Sequence, residues 1–281
     1  MKNEREHWSY IALNQYMRCP LQYYFERVLR IPRKSIPSAM LFGSALHAVL
    51  AEYHFSIVRD EVLSRDDLIS GLVKAWQERW GSENVTLKES ESESKLLDLL
   101  VQLLDLYLAI PVTSKIIAVE KQYWVPLVTS NGAILEKPLL AITDLLVQDN
   151  DRLSVVEFKT SSRQYSESEV QCSLQATSYA HAVHSKFDIM PQVEYTVFVK
   201  TKSPKIQQLS TPRSETEVHR LGDIVQQIGD AIDSSVFFPI ENPMNCSGCS
   251  YLNECRRWVG QSKEETFEKL GNIPTGVLSA C

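Results

Sequence analysis

The apolar positions of this chain keep a helical period in the first third and change period afterwards. Ser9 is placed to cap a helix over "YIALNQYMR", and Pro20 suits the first position of a second helix, "PLQYYFERVLR". There Leu21, Tyr24, Phe25, Val28 and Leu29 recur at i, i+3, i+4, i+7 and i+8, the spacing of one buried helix face. Pro32 and Pro37 mark a loop. Further helices are predicted in "FGSALHAVLAEYHFSIV", "RDDLISGLVKAWQERW" and "SKLLDLLVQLLDLYLAI", with the polar "SENVTLKESESESK" as an exposed loop between the last two. From about residue 116 the period becomes two, or short apolar runs: "IIAVEKQYWVPL", "PLLAITDLLV" and "LSVVEFK", then a helix near 168 to 186, then "VEYTVFV". This predicts three antiparallel strands, a helical crossover and a fourth strand, followed by a helix near 215 to 233 and a Cys-rich tail. The fold class expected is α/β: a mixed central sheet flanked by helices, with a helical region inserted before it.

Composition narrows the class. With 281 residues, 44% hydrophobic and 23% charged, the chain has enough apolar material for a sizeable core. No stretch approaches 18 uninterrupted apolar residues, and "MKNEREHWSY" lacks the apolar run of a secretory signal, so no membrane partner and a reducing, cytoplasmic setting are expected. The net charge of −6 is unevenly spread: residues 60 to 110 carry 11 acidic and 5 basic side chains. Residues 1 to 37 hold Lys2, Arg5, Arg18, Arg27, Arg30, Arg33 and Lys34 against Glu4, Glu6 and Glu26, a local basic surface that phosphates could meet.

The candidate chemistry centres on "VVEFKT". Glu157 and Lys159 share one strand face, roughly 6 to 7 Å apart. If the turn "QDNDR" centres between Asn150 and Asp151, Gln148 faces Leu153 and Asp144 faces Glu157 on the neighbouring strand. Opposed carboxylates repel unless a cation joins them, and two carboxylates with waters and phosphate oxygens suit Mg²⁺ or Mn²⁺. Lys159 could then orient a water. The competing reading is an ion pair on a solvated strand face. His47 lies beside an apolar helix stripe, where a boundary residue and a ligand are both consistent. Gln175 and Tyr179, at i and i+4, place an amide and a phenol together for phosphate or base contact or for helix packing. Glu120 reads as an ordinary surface glutamate or an acid supporting the site.

In a reducing compartment cysteines more often serve metals or catalysis than disulfides. Cys246, Cys249 and Cys255 form a C-x2-C-x5-C run, and Cys19, ahead of a helix N-terminus, is the best fourth thiol. Such a set could hold an iron-sulfur cluster or structural Zn²⁺. Zinc ribbons usually supply two C-x2-C pairs, so the triplet plus a distant single thiol favours the cluster. Cys172 and Cys281 are left over.

Taken in order, "SYIALNQYMRCPLQYYF", "FGSALHAVL", "AITD", "VVEFKT", "QCSLQATSYA" and the cysteine triplet resemble, nearly end to end, the RecB-like branch of the PD-(D/E)XK nuclease superfamily. The resemblance is strongest to its iron-sulfur members, the AddB-type subunits and the CRISPR-associated adaptation exonucleases. It implies that His47, Asp144, Glu157 and the Phe158 carbonyl bind Mg²⁺ or Mn²⁺, and that Lys159 serves catalysis. It implies that Gln175 and Tyr179 assist the site or the DNA, and that Cys19, Cys246, Cys249 and Cys255 hold a [4Fe-4S] cluster joining the two chain ends. Ala141 departs from the family's usual Gly-x-x-Asp, and Glu157 stands where many members have Asp. The expectation is one nuclease domain over residues 1 to 281: a helical region at 41 to 115, the catalytic sheet at 116 to 200, and cluster ligands at 19 and 246 to 255. It would be a metal-dependent deoxyribonuclease acting on single-stranded DNA ends in repair, recombination or processing. Alternatives are a non-catalytic DNA-binding subunit and a structure-specific endonuclease. The chain carries no helicase P-loop, so unwinding would need a protein partner.

Overall fold

The structure, a computed structural model, describes residues 6 to 258; Lys2, Arg5 and Cys281 lie outside the described residues. Helix α1 (Tyr10–Arg18) begins where Ser9 accepts the Ala12 amide, and Pro20 opens α2 (Pro20–Tyr23). The second helix departs from expectation. It continues as a π-helix, Tyr24–Val28, and Tyr23, Tyr24 and Phe25 are all buried while Val28 and Leu29 are only partly so. A 3.6-residue period cannot hold three consecutive aromatics in one stripe, and a widened turn brings all three inward.

A two-residue strand β1 (Ile36–Pro37) leads into α3 (Ser38–Val58), followed by α4 (Arg65–Ser82). The polar loop after α4 contributes β2 (Val85–Thr86), which pairs in parallel with β1, before α5 (Glu93–Leu108). Among the described residues α3 alone is long and apolar enough to cross a membrane, but Leu41, Phe42, Leu46 and Leu50 on it are fully buried in the core.

The main sheet runs in the order β3 (Lys115–Val125), β4 (Leu139–Asp149), β5 (Arg152–Ser161), β6 (Gln192–Val199), β7 (Lys205–Thr211). Only β5 and β6 are parallel. The sheet is therefore mixed and flanked by helices, as expected, but carries a fifth strand. In "KIQQLST" the solvent-facing edge strand β7 offers too few apolar positions to signal itself. The single helix expected near 168 to 186 is two, α6 (Glu167–Gln171) and α7 (Leu174–Phe187). Ser173 caps α7, and the buried Arg213 guanidinium donates to the carbonyls of Val170, Gln171 and Ser173 at the break. Helix α8 (Glu215–Asp233) follows, then α9 (Pro243–Cys246) and α10 (Leu252–Arg257) in the tail.

The two largest of three buried clusters among the described residues lie on opposite faces of the sheet. Helices α3, α4 and α5 bury Leu46, Leu72, Trp76 and Leu104 against Leu145, Val147, Phe158 and Phe198. On the other face α1, α2, α7 and α8 pack with Tyr123, Ala141, Leu146, Val155 and Tyr251. Two strands switch faces between these cores. On β3 Val119 packs on the α3 side and Tyr123 on the α7 side; on β4 Ala141 packs on the α7 side and Leu145 on the α3 side. Strict alternation forbids both pairs. The crossover lies at Glu120, whose φ of 46° is in the left-handed region, and at Asp144 facing it.

Candidate active site

The β4–β5 ladder follows the expected register from Asp149↔Arg152 to Leu145↔Val156 and then stops. Asp144 and Glu157 occupy the next step, where the strands part. Parting lets each carboxylate find its own partners instead of pressing against the other. Asp144 Oδ1 lies 3.2 Å from His47 Nδ1, and Asp144 Oδ2 accepts the Phe158 amide at 2.8 Å. Glu157 Oε1 accepts from Lys159 Nζ at 2.5 Å and from Gln175 Nε2 at 2.8 Å. The second N–H of Gln175 donates to the Tyr179 hydroxyl at 2.7 Å. The Phe158 side chain packs on the α3 side beneath His47, with ring centroids 6.1 Å apart. The N–H and C=O of a strand residue point to the same edge, so the Phe158 carbonyl faces the gap that Asp144 occupies.

These contacts set the charges. Burial would raise the Asp144 carboxyl, but the His47 bond and the Phe158 amide hold it below the usual range. Burial likewise opposes the His47 imidazolium, and Asp144 overrides it, leaving that pKa raised. Glu157 is 2% exposed, and desolvation pushes it up to about 7 against the pull of the Lys159 ammonium. Lys159 is held above its ordinary range because Glu157 outweighs the cost of its burial. Glu157 Oε2 has no hydrogen-bond partner. A buried carboxylate oxygen left unpaired is costly and leaves an acceptor for a positive group.

Glu120 is more than an ordinary surface glutamate. Its carboxylate joins His47 and Asp144 in a set whose donor atoms all lie within 4.8 Å of one another. Burial, then the nearby Asp144, raises its pKa. The signal was its position opposite Asp144 across β3 and β4. Tyr10 was also missed; burial raises its phenol and Lys159 pulls the other way. Only the fold brings α1 to the end of β5, so no local pattern could have revealed it. Gln175 and Tyr179, expected at the site or the DNA, are 8% and 6% exposed and are engaged with Glu157 and with each other.

The donor set of imidazole, carboxylates and a backbone carbonyl suits a hard or borderline divalent cation. A family model of the PD-(D/E)XK nuclease superfamily matches residues 7 to 256, spanning every residue just described. The chain belongs to the PD-(D/E)XK nuclease superfamily. Its reaction class is therefore nucleic-acid phosphodiester hydrolysis, with DNA as the implied substrate, and nucleases of this superfamily usually use divalent metals. The fold of this nuclease is also similar to a crystal structure of a "Putative exonuclease" from Eubacterium rectale, at TM-score 0.56 and 10% identity, covering 97% of this chain and 94% of that one. No curated protein matches the sequence.

A second group of this nuclease lies away from the sheet. Cys19, Cys246, Cys249 and Cys255 line one pocket, enclosing about 20 Å³. Burial, then neighbouring Cys19, raises the Cys255 thiol, and burial raises Cys249. Cys172 is exposed and stands apart. The tail is also tied by Asn245 Nδ2 to the Arg18 carbonyl, by the Tyr251 hydroxyl to the Ile31 carbonyl, and by Lys34 to Glu254.

Proposed function

We propose that this protein is a Mg²⁺- or Mn²⁺-dependent exonuclease acting on single-stranded DNA ends, in the iron-sulfur, RecB-like branch of its superfamily. The observation that carries the catalytic reading is the buried, unpaired Glu157 Oε2 beside the His47, Glu120 and Asp144 cluster. His47, Glu120, Asp144, Glu157 and the Phe158 carbonyl would hold the cation. When bound, it supplies charge neutralisation and polarisation of the scissile phosphate. Lys159, fixed by Glu157, orients the attacking water and balances charge gathering on the phosphate. Gln175 keeps Glu157 in place, and Tyr179 keeps Gln175 in place. Helices α3 to α5 form a wall on one side of this centre.

The exonuclease reading is supported by the name of the structural neighbour, and the iron-sulfur reading by the four thiols sharing one pocket. Four closely placed cysteines fit a [4Fe-4S] cluster. Zinc is the second reading, since four thiols also make a tetrahedral zinc site. Anaerobically purified protein should be brown with broad visible absorption; colourless protein with stoichiometric zinc would overturn the cluster.

The deciding assay for the activity is Mn²⁺-dependent release of label from single-stranded DNA tagged at the 5′ or 3′ end, with Glu157→Ala as control. Progressive shortening by the wild type alone is expected. Folded wild type that binds DNA without cutting it would make this a binding subunit instead.

A further inference from the structure

Two cavities are lined by residues that hold the reactive carboxylate: Gln175 lines both and Lys159 lines one, and each bonds Glu157. One, of about 340 Å³, is lined by Tyr10, Asn14, Lys159, Tyr165, Ser173 and Tyr195 among others. The other, of about 220 Å³, is lined by Tyr10, Ile11, Ile142, Ser178 and Tyr179 among others. Their linings share two residues, Tyr10 and Gln175, and Gln175 bonds Glu157 directly. Tyr10, the first residue of α1, thus borders both cavities, one residue contact away from Glu157 through Gln175. Their sizes lie at or just below the small end of ligand pockets, about 300 to 1,000 Å³, and suit one nucleotide each rather than a duplex.

The linings suit unpaired bases. Tyr10 and Tyr165 offer aromatic surface, Asn14 offers both a donor and an acceptor, and the Tyr195 hydroxyl is bonded to Ser173 at 2.8 Å. Glu169 also lines the larger cavity, but Arg163 spans both its oxygens at 2.7 Å, so its charge is balanced before any phosphate arrives. Within the linings Ile11 is 68% exposed, Ile142 40% and Met17 38%, apolar surface open to an incoming base. A base reaches an aromatic wall in a compartment of this size only after leaving its stack and its partner, which single strands do at little cost and duplexes do not.

We propose that the two cavities hold the bases on either side of the scissile phosphate, with Tyr10 as the aromatic divider that separates them. The inference rests on the DNA exonuclease reading and gives it a physical source for single-strand preference: the site accepts only two adjacent, splayed nucleotides. Contact with the base faces makes the subsites tolerant of sequence. Tyr10 is a positioning residue, acting on the bases and leaving the chemistry to Glu157 and Lys159.

The test uses full-length protein and single-stranded oligonucleotides carrying 2-aminopurine at successive positions from each end. Binding is measured by fluorescence in an Asp144→Asn background that does not cut, and turnover in the otherwise wild-type chain. Quenching is expected at the two positions flanking the cut. Tyr10→Ala should abolish it and raise KM about ten- to a hundredfold with kcat changed less than threefold, and Tyr10→Phe should restore both. Unaltered quenching and KM in Tyr10→Ala, or cutting by the wild type with no quenching at any position in the Asp144→Asn background, overturns the subsites alone. Wild type that cuts no DNA overturns the exonuclease reading and the subsites with it.

Discussion

At the residue scale, the carboxylate-lysine pair was legible because strand alternation and one turn fix its register. His47 and Gln175, on helices separated from it in sequence, could be named only through their motifs, and Tyr10 was not named at all because only the fold brings α1 to the end of β5. Glu157→Ala and Lys159→Ala should each lower kcat by about two to four orders of magnitude while the melting temperature stays near wild type, measured by label release and calorimetry. His54 escaped the sequence reading altogether. It is 1% exposed, bonds the Tyr107 hydroxyl at 2.8 Å and stacks on Phe158, and burial lowers its pKa to about 4. The unfolded imidazole takes its proton near its ordinary 6.5, so between that pH and about 4 the unfolded chain binds the extra proton. Stability therefore falls as pH falls through this window, by about 3 kcal/mol. His54→Gln, which keeps a partner for Tyr107 but does not titrate, should flatten denaturant midpoints between pH 7 and pH 4.

At the element scale, the long amphipathic helices and the four strands carrying apolar runs could be read because each buries its own periodic pattern. Three features resisted. The π-turn answers to three adjacent aromatics, β7 is an exposed edge, and the α6–α7 break depends on Arg213, about 40 residues downstream. Arg213→Ala would leave the carbonyls of Val170, Gln171 and Ser173 without that donor in a buried setting. A loss on the order of 3 kcal/mol is expected in urea unfolding, with helix α7 loosened over Glu157. Helix α8 lies so close to the 128–129 backbone that a methyl group on Gly222 would collide with the Val128 carbonyl. Gly222→Ala should therefore destabilise the protein by about 1 to 3 kcal/mol, read as a shifted unfolding midpoint.

At the scale of the whole molecule, the chain closes on itself. Cys19 meets the 246–255 tail, and Asn245, Tyr251 and Glu254 bind the N-terminal segment independently of any thiol. Cys19→Ser should lower the melting temperature by several degrees without abolishing the circular-dichroism signature of the fold, because the polar ties remain. The spacing of the thiols was legible; the polar ties were not, being single contacts across more than 200 residues. The sheet has its own seam, the fork where β4 and β5 part. The Phe158 amide is hydrogen-bonded there by Asp144 instead of by a neighbouring strand. That N–H is consequently a spectroscopic probe wired to one carboxylate. In a ¹⁵N-labelled sample its chemical shift should follow the charge on Asp144, so titrating Mg²⁺ would register at this amide before any substrate is added.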